Sequence, residues 1–247
     1  MALLGRSAIT RVVILCILSL IWGSSFILMK RGLLVFSALH VAALRIVISG
    51  IVLMPFAIFA WYRFDKQYIH YVLLCGILGN AIPAILFALA QRHLHSATTA
   101  LLNSLTPIFT LLVGAVVFGF GVRRSQVWGV ILGFIGASAL VMAAQRELTV
   151  NEMQQSLWYA LLPVVATLCY GLNGNILSRY VRHVPPMTVN SIAITSAAWL
   201  FIPYLVWSDF CSEVLPMAVR HPHFTLALGS IVVLSVLGTA LSNWLFT

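Results

Sequence analysis

Apolar runs of roughly 19 to 25 residues recur along the chain, each long enough to cross about 30 Å of hydrocarbon as a helix. Eight are read, at 11–29, 40–62, 68–90, 97–120, 126–144, 156–177, 187–207 and 224–246, joined by short polar loops. The runs are continuous, which excludes a membrane β-barrel, whose strands alternate and need only about ten residues. The residues are 62% hydrophobic and 8% charged, whereas a soluble domain carries about a quarter charged residues. No water-soluble fold could hide that much apolar surface. The first run follows Arg6 and Arg11, exceeds the length of a secretory h-region and lacks a small-residue cleavage site, so it reads as a retained helix.

A formal charge of +9 raises the question of nucleic acid, but basic residues beside membrane helices are topology signals and their location decides. With the N-terminus inside, the inner segments hold Arg6, Arg11, Arg63, Lys66, Arg123, Arg124, Arg179 and Arg182, and the outer loops hold Lys30, Arg31, Arg92, Arg146 and Arg220. That bias predicts a multi-pass protein of the cytoplasmic (inner or plasma) membrane with a cytoplasmic N-terminus, and no nucleic-acid partner. Cys16, Cys75 and Cys169 fall in apolar spans and Cys211 stands alone in an outer loop, a pattern of packing residues and not of a disulfide framework.

The chain also resembles itself. At an offset of 148 residues, Gly23 aligns with Gly171, Arg31 with Arg179 and Pro55 with Pro203; at a slightly larger offset "GNAIPAILF" from Gly79 aligns with "GTALSNWLF" from Gly238. Residues 1–148 then form a first unit of five helices and 149–247 an incomplete second unit of three. An odd helix number makes the second copy enter the membrane from the opposite side, the inverted-repeat plan of secondary transporters, whose sites lie near the midplane between the copies.

At these residues the chain resembles the EamA-type transporters of the drug/metabolite transporter superfamily. The resemblance rests on "IWGSSFILMKRGL", on "ALRIVISGIVLMP" and on the long stretch "ALAQRHLHSATTALLNSLTPIFTLLVGAVVFGFGVRRSQVWGVILGFIGASALV", and it runs from about Ile14 to the end. It implies a polytopic bundle of inverted five-helix repeats, with eight transmembrane helices visible of an expected ten. The chain departs from the family pattern at Phe118-Gly119-Phe120-Gly121, where the family commonly carries a glutamate, and in stopping after helix eight. That stop, at Trp244-Leu245-Phe246-Thr247 with no basic anchor, leads to the expectation of a truncated ten-helix protein, with a homodimer or a complementing subunit covering helix eight.

Polar residues inside the spans are the site candidates. In helix four Ser96, Thr99, Asn103, Thr106, Thr110 and Gly114 share one face, either lining a pore or bonding neighbouring backbone. Pro107 has no N–H, so the Asn103 carbonyl loses its helical donor and becomes available to a ligand or another helix. Gly76, Asn80, Pro83, Phe87 and Gln91 form a face of helix three, and Ser235, Thr239, Ser242 and Phe246 the matching face of helix eight. One central cavity lined by helices three, four and eight is predicted, with Asn80, Asn103 and Thr239 directed into it. Trp22, Tyr170 and Trp244 are candidate apolar walls, with packing and the interfacial belt as the competing role. Arg45, inside helix two, is read as an anchor snorkelling to the interface before a substrate contact. Gly129 and Gly133 in helix five are read as a close-packing scaffold.

Asp65, Glu147, Glu152, Asp209 and Glu213 all fall in loops, so the spans offer no carboxylate relay. His93 and His95 lack the spacing and the third ligand of a metal site, and no cofactor or metal is expected. An embedded enzyme would need an acid pair, an HExxH helix or a nucleophile with its base, so catalysis is not expected. The leading expectation is an exporter or exchanger of small metabolites (amino acids, nucleosides or drug-like compounds) working by alternating access. The alternatives are a flippase of lipid-linked substrates and a non-transporting partner protein.

Overall fold

The computed structural model describes residues 8–144 and 150–241, which form helices and short connections without a strand. Helices α1 (Ala8–Gly32) and α2 (Ala38–Arg63) are continuous. The Ser37 hydroxyl caps α2 by accepting the His40 N–H at 3.3 Å, satisfying one of the orphan donors at the helix start.

The third apolar run, Lys66–Gln91, is helical but not uniform. Helix α3 (Ile69–Gly76) passes through a π-helical turn at Ile77–Ala81 into α4 (Ile82–Gln91). Pro83 accounts for the turn: it has no N–H for the Gly79 carbonyl and its ring crowds that oxygen, so the ladder shifts and the Ile82 N–H reaches back to Ile77. The fourth run is broken for the same reason into α5 (Ser96–Asn103) and α6 (Thr106–Val116), with Pro107 at the start of the second piece. It stops at Val116, short of the expected residue 120, because Gly119 adopts φ 66° and turns the chain so that the Phe120 N–H bonds the Gly114 carbonyl at 2.8 Å.

Helices α7 (Arg124–Ala144), α8 (Val150–Tyr180) and α9 (Pro186–Trp207) follow. The loop expected after α9 instead contains a π-helical turn, Phe210–Val214, running into the short α10 (Leu215–Val219). These ten residues are too few to span a bilayer, yet Phe210 and Ala218 are buried in the core. Helix α11 (Phe224–Ser235) continues into a π-helical turn at Val236–Leu241; the rest of the last expected span lies outside the described residues. Among the described residues five helical segments are long and apolar enough to cross a membrane: Ala38–Arg63, Lys66–Gln91, Ser96–Val116, Trp158–Tyr180 and Pro186–Trp207.

Helices α2 and α9 form the most extensive pair. Small residues let them close, and α3 onto α9 beside them: a Cβ on Gly50 would stand 2.5 Å from the Ala198 Cβ, and one on Gly76 of α3 2.5 Å from the Ala193 carbonyl oxygen. This is the packing expected where lipid tails supply no hydrophobic drive between helices. Two further glycines at π-helical turns pack alike, Gly79 against Asn173 of α8 and Gly238 against Ser25 of α1. Inside the bundle Phe26, Phe87 and Tyr170 link α1, α4 and α8, with ring centroids 5.4 and 6.0 Å apart. Outside, Phe59 and Val116 are 76% and 75% exposed, an apolar surface suited to lipid and not to water. Tyr62 and Trp207, exposed at the ends of α2 and α9, fit an interfacial belt.

Gly129 and Gly133 correct the scaffold expectation. A Cβ on either would meet nothing within 4 Å, and both face a cavity between α6, α7 and α8. Here the missing side chains leave space instead of bringing helices together.

Candidate functional site

The polar stripe of helix four spends its hydroxyls on backbone. Thr99 and Thr110 donate to the carbonyls of His95 and Thr106 at 3.2 and 2.8 Å, and Ser96 donates across to Phe26 of α1 at 3.2 Å. The Asn103 carbonyl, which Pro107 deprives of its helical partner, is not available to a ligand: the Thr106 hydroxyl caps it at 2.7 Å. The same hydroxyl lies 3.4 Å from Asn103 Oδ1. Replacing Thr106 by valine removes this cap and is expected to lower stability by about 1–3 kcal/mol, with Thr106→Ser near wild type. Equal melting temperatures for valine and serine variants in detergent would reject the cap.

Two spaces among the described residues bear on these candidates. One, of about 580 Å³, lies between α6, α7 and α8 and takes Thr106, Thr110, Gly114 and Asn175 among its walls. The other, of about 750 Å³, lies between the end of α2 and the start of α9, lined by Phe56, Phe59, Arg63, Tyr68 and His183 among others. Asn80, Asn103 and Thr239 line neither of these two spaces.

The structure does bring together Arg45, Tyr170 and Thr239, from three separate segments. The Arg45 Nε donates to Thr239 Oγ1 at 3.2 Å, and the Tyr170 phenol is its electrostatic neighbour across from α8. Arg45 therefore does not snorkel back along α2; its head turns sideways to the π-helical turn at Val236–Leu241, because a hydroxyl inside the bundle is in reach. Thr239 is buried and Tyr170 partly so. Beside them the Ser49 hydroxyl donates to the Ser235 carbonyl at 3.0 Å and holds α2 to the end of α11.

Trp22 on α1 is 43% exposed. Asn80 lies partly buried in the π-helical turn of the third run, next to the contact between Gly79 and Asn173. Ser242 and Trp244 lie outside the described residues. His93 stacks on Tyr159 with centroids 3.6 Å apart, and the four cysteines are free.

Two amides of α8 were missed in sequence. Asn175 is buried and donates to the carbonyls of Thr110 and Gly171 at 2.9 and 2.7 Å. Asn173 keeps its Oδ1 buried without a partner among the described residues. The run Gly171-Leu172-Asn173-Gly174-Asn175 carried the signal, since an amide in an apolar span has several groups to satisfy. Lys30, read only as a topology charge, donates to the carbonyls of Gln91 and Leu94 and ties α1 to the end of α4.

The sequence matches the EamA-like transporter family over residues 10–142, more than half of the chain. The chain belongs to the EamA-like transporter family. Its curated relatives are transporters of the drug/metabolite transporter superfamily. An uncharacterized transporter of Archaeoglobus fulgidus is 24% identical over 92% of this chain and 75% of its own length. A probable amino-acid metabolite efflux pump of Salmonella typhimurium is 26% identical over 76% of this chain, which spans 60% of the pump. The S-adenosylmethionine/S-adenosylhomocysteine transporter of Chlamydia muridarum is 24% identical over 87% of this chain and 69% of its own. One crystal structure shares the fold of this EamA-like chain, with a TM-score of 0.63 over 97% of it and 79% of the other chain at 19% identity.

Proposed function

We propose that the chain carries small metabolites across the cytoplasmic membrane as an exporter or exchanger, by alternating access between two inverted repeats. The observation that carries this reading is the meeting of Arg45, Tyr170 and Thr239 from α2, α8 and the last described turn. A charged side chain held inside a membrane bundle marks a pathway in most membrane proteins.

The packing supports the repeat. At the offset that aligns Gly23 with Gly171, Gly50 corresponds to Ala198 and Ser25 to Asn173; at the larger offset of the second alignment Gly79 corresponds to Gly238. Gly50 touches its own counterpart, as residues on a pseudo-two-fold axis must. Gly79 touches Asn173, and the exchanged pair, Gly238 and Ser25, also touch. Both glycines sit in π-helical turns, a device found at functional sites.

The names of the Salmonella and Chlamydia relatives support small metabolites as the cargo. The test is counterflow into vesicles holding the purified chain, with labelled amino acids, nucleosides and S-adenosylmethionine as the panel. Accumulation of any one above protein-free vesicles supports carriage; none, with folded protein in the vesicles, rejects it. The topology reading puts the loops holding Arg63, Arg123 and Arg179 in the cytoplasm. Cysteines introduced there should resist an impermeant thiol reagent on intact cells, and labelling of all three would reverse the orientation.

A second reading, flipping of lipid-linked substrates, draws on the 750 Å³ groove, whose Phe56 and Phe59 are exposed on the apolar surface beside Arg63. Transfer of a fluorescent lipid-linked sugar between leaflets of the same vesicles, without counterflow, would favour it.

A further inference from the structure

Arg45 is a cation with too few partners. Among the described residues its side chain makes one hydrogen bond, to Thr239, and its electrostatic neighbour is the neutral phenol of Tyr170. The acids whose side chains are described lie elsewhere, Asp65 capping the turn before α3, Asp209 just after α9 and Glu213 in the turn before α10, while Glu152 sits in the first turn of α8. A guanidinium offers several further N–H donors in a planar fork, and Arg45, partly buried in the bundle, leaves most of them without a protein acceptor among the described residues. The fork matches a carboxylate with two parallel bonds.

A second group in the same region also lacks a partner. Asn173 follows Tyr170 by one turn on the same side of α8, about 4.5 Å along the axis, and its buried Oδ1 accepts nothing among the described residues. The bundle thus holds an unmatched donor fork on one side of Tyr170 and an unmatched acceptor one turn away. A single cation balances one negative charge, which suits a carboxylate better than a phosphate carrying nearly two.

Building on the transport reading above, we propose that Arg45 receives the carboxylate of the transported metabolite and Asn173 Oδ1 receives an N–H donor next to it. Arg45 is then the residue that sets substrate charge, and Asn173 the residue that selects for a neighbouring amine. Tyr170, an electrostatic neighbour of Arg45 and one helical turn from Asn173, and Phe87 stacked on it supply the apolar wall.

The test is thermal stabilisation of the purified full chain in detergent by a panel of L-amino acids, their carboxamides, their des-amino acids and inorganic phosphate. At least one amino acid is expected to raise the melting temperature and to bind about tenfold tighter than its carboxamide, a difference of about 1.4 kcal/mol. Arg45→Gln should erase the difference between acid and amide, and Arg45→Lys should keep part of it. Asn173→Leu should erase the advantage of the amino acid over its des-amino analogue, a readout that stands even if Arg45→Gln fails to fold. Carboxamides binding as well as acids, or phosphate binding better than every acid, would overturn the proposal while leaving carriage intact. Stabilisation by no member of the panel, joined to no counterflow, would overturn both.

Discussion

Gly76→Ala is expected to destabilise the bundle by about 1–3 kcal/mol, the usual cost of forcing a methyl group into a filled interior, whereas Gly129→Ala is expected to be neutral or stabilising. The added Cβ at Gly76 would stand 2.5 Å from the Ala193 carbonyl oxygen of α9, a backbone atom that cannot rotate away. α3 or α9 would have to shift, and the contacts of the α2 and α9 pair with them. At Gly129 the same methyl meets nothing within 4 Å, so the gain in helix propensity, about 0.8–1 kcal/mol for alanine over glycine, has no opposing term. Melting in detergent distinguishes the two. A Gly76→Ala variant as stable as the parent would mean that α3 and α9 are not in contact there.

The second large effect concerns transport. Thr239→Val keeps the shape of the side chain and removes the oxygen that accepts the Arg45 Nε. A hydrogen bond to a charged group is worth about 1.5–3 kcal/mol, so a guanidinium released from its set direction should lower the transport rate by about tenfold to a hundredfold. Membrane insertion should persist while the melting temperature falls with the loss of that bond, and Thr239→Ser should restore most of both the stability and the rate. Valine and serine variants with equal rates would remove Arg45 and Thr239 from the account.

How much of this was legible beforehand depends on the physics of each feature. The spans were, because an apolar run of some twenty residues has few alternatives to crossing a bilayer as a helix. Arg45, Tyr170 and Thr239 could each be picked out as unusual residues in such spans, but not as neighbours, since they meet across separate helices. The cap at Asn103 was half legible: Pro107 shows that a carbonyl is freed, but only the fold shows that Thr106 rotates onto it. Gly129 and Gly133 misled because spacing reports a smooth face and not what stands opposite. The helical piece Phe210–Val219 escaped because it is shorter than a membrane span and was judged against that length. Asn173 and Asn175 carry the same signal as Asn80 and Asn103, an amide inside an apolar span, set beside the aromatic Tyr170 on the same helix.

The central claim is that the meeting point of Arg45, Tyr170 and Thr239 is a transport site open to each side of the membrane in turn. In a background with Cys16, Cys75, Cys169 and Cys211 replaced by serine or alanine, Thr239→Cys can be probed in sealed vesicles by an impermeant thiol reagent applied to one face at a time. The account predicts labelling from both faces, slowed by a metabolite that gives counterflow. Labelling from neither face, or from one alone whether or not the metabolite is present, would contradict it.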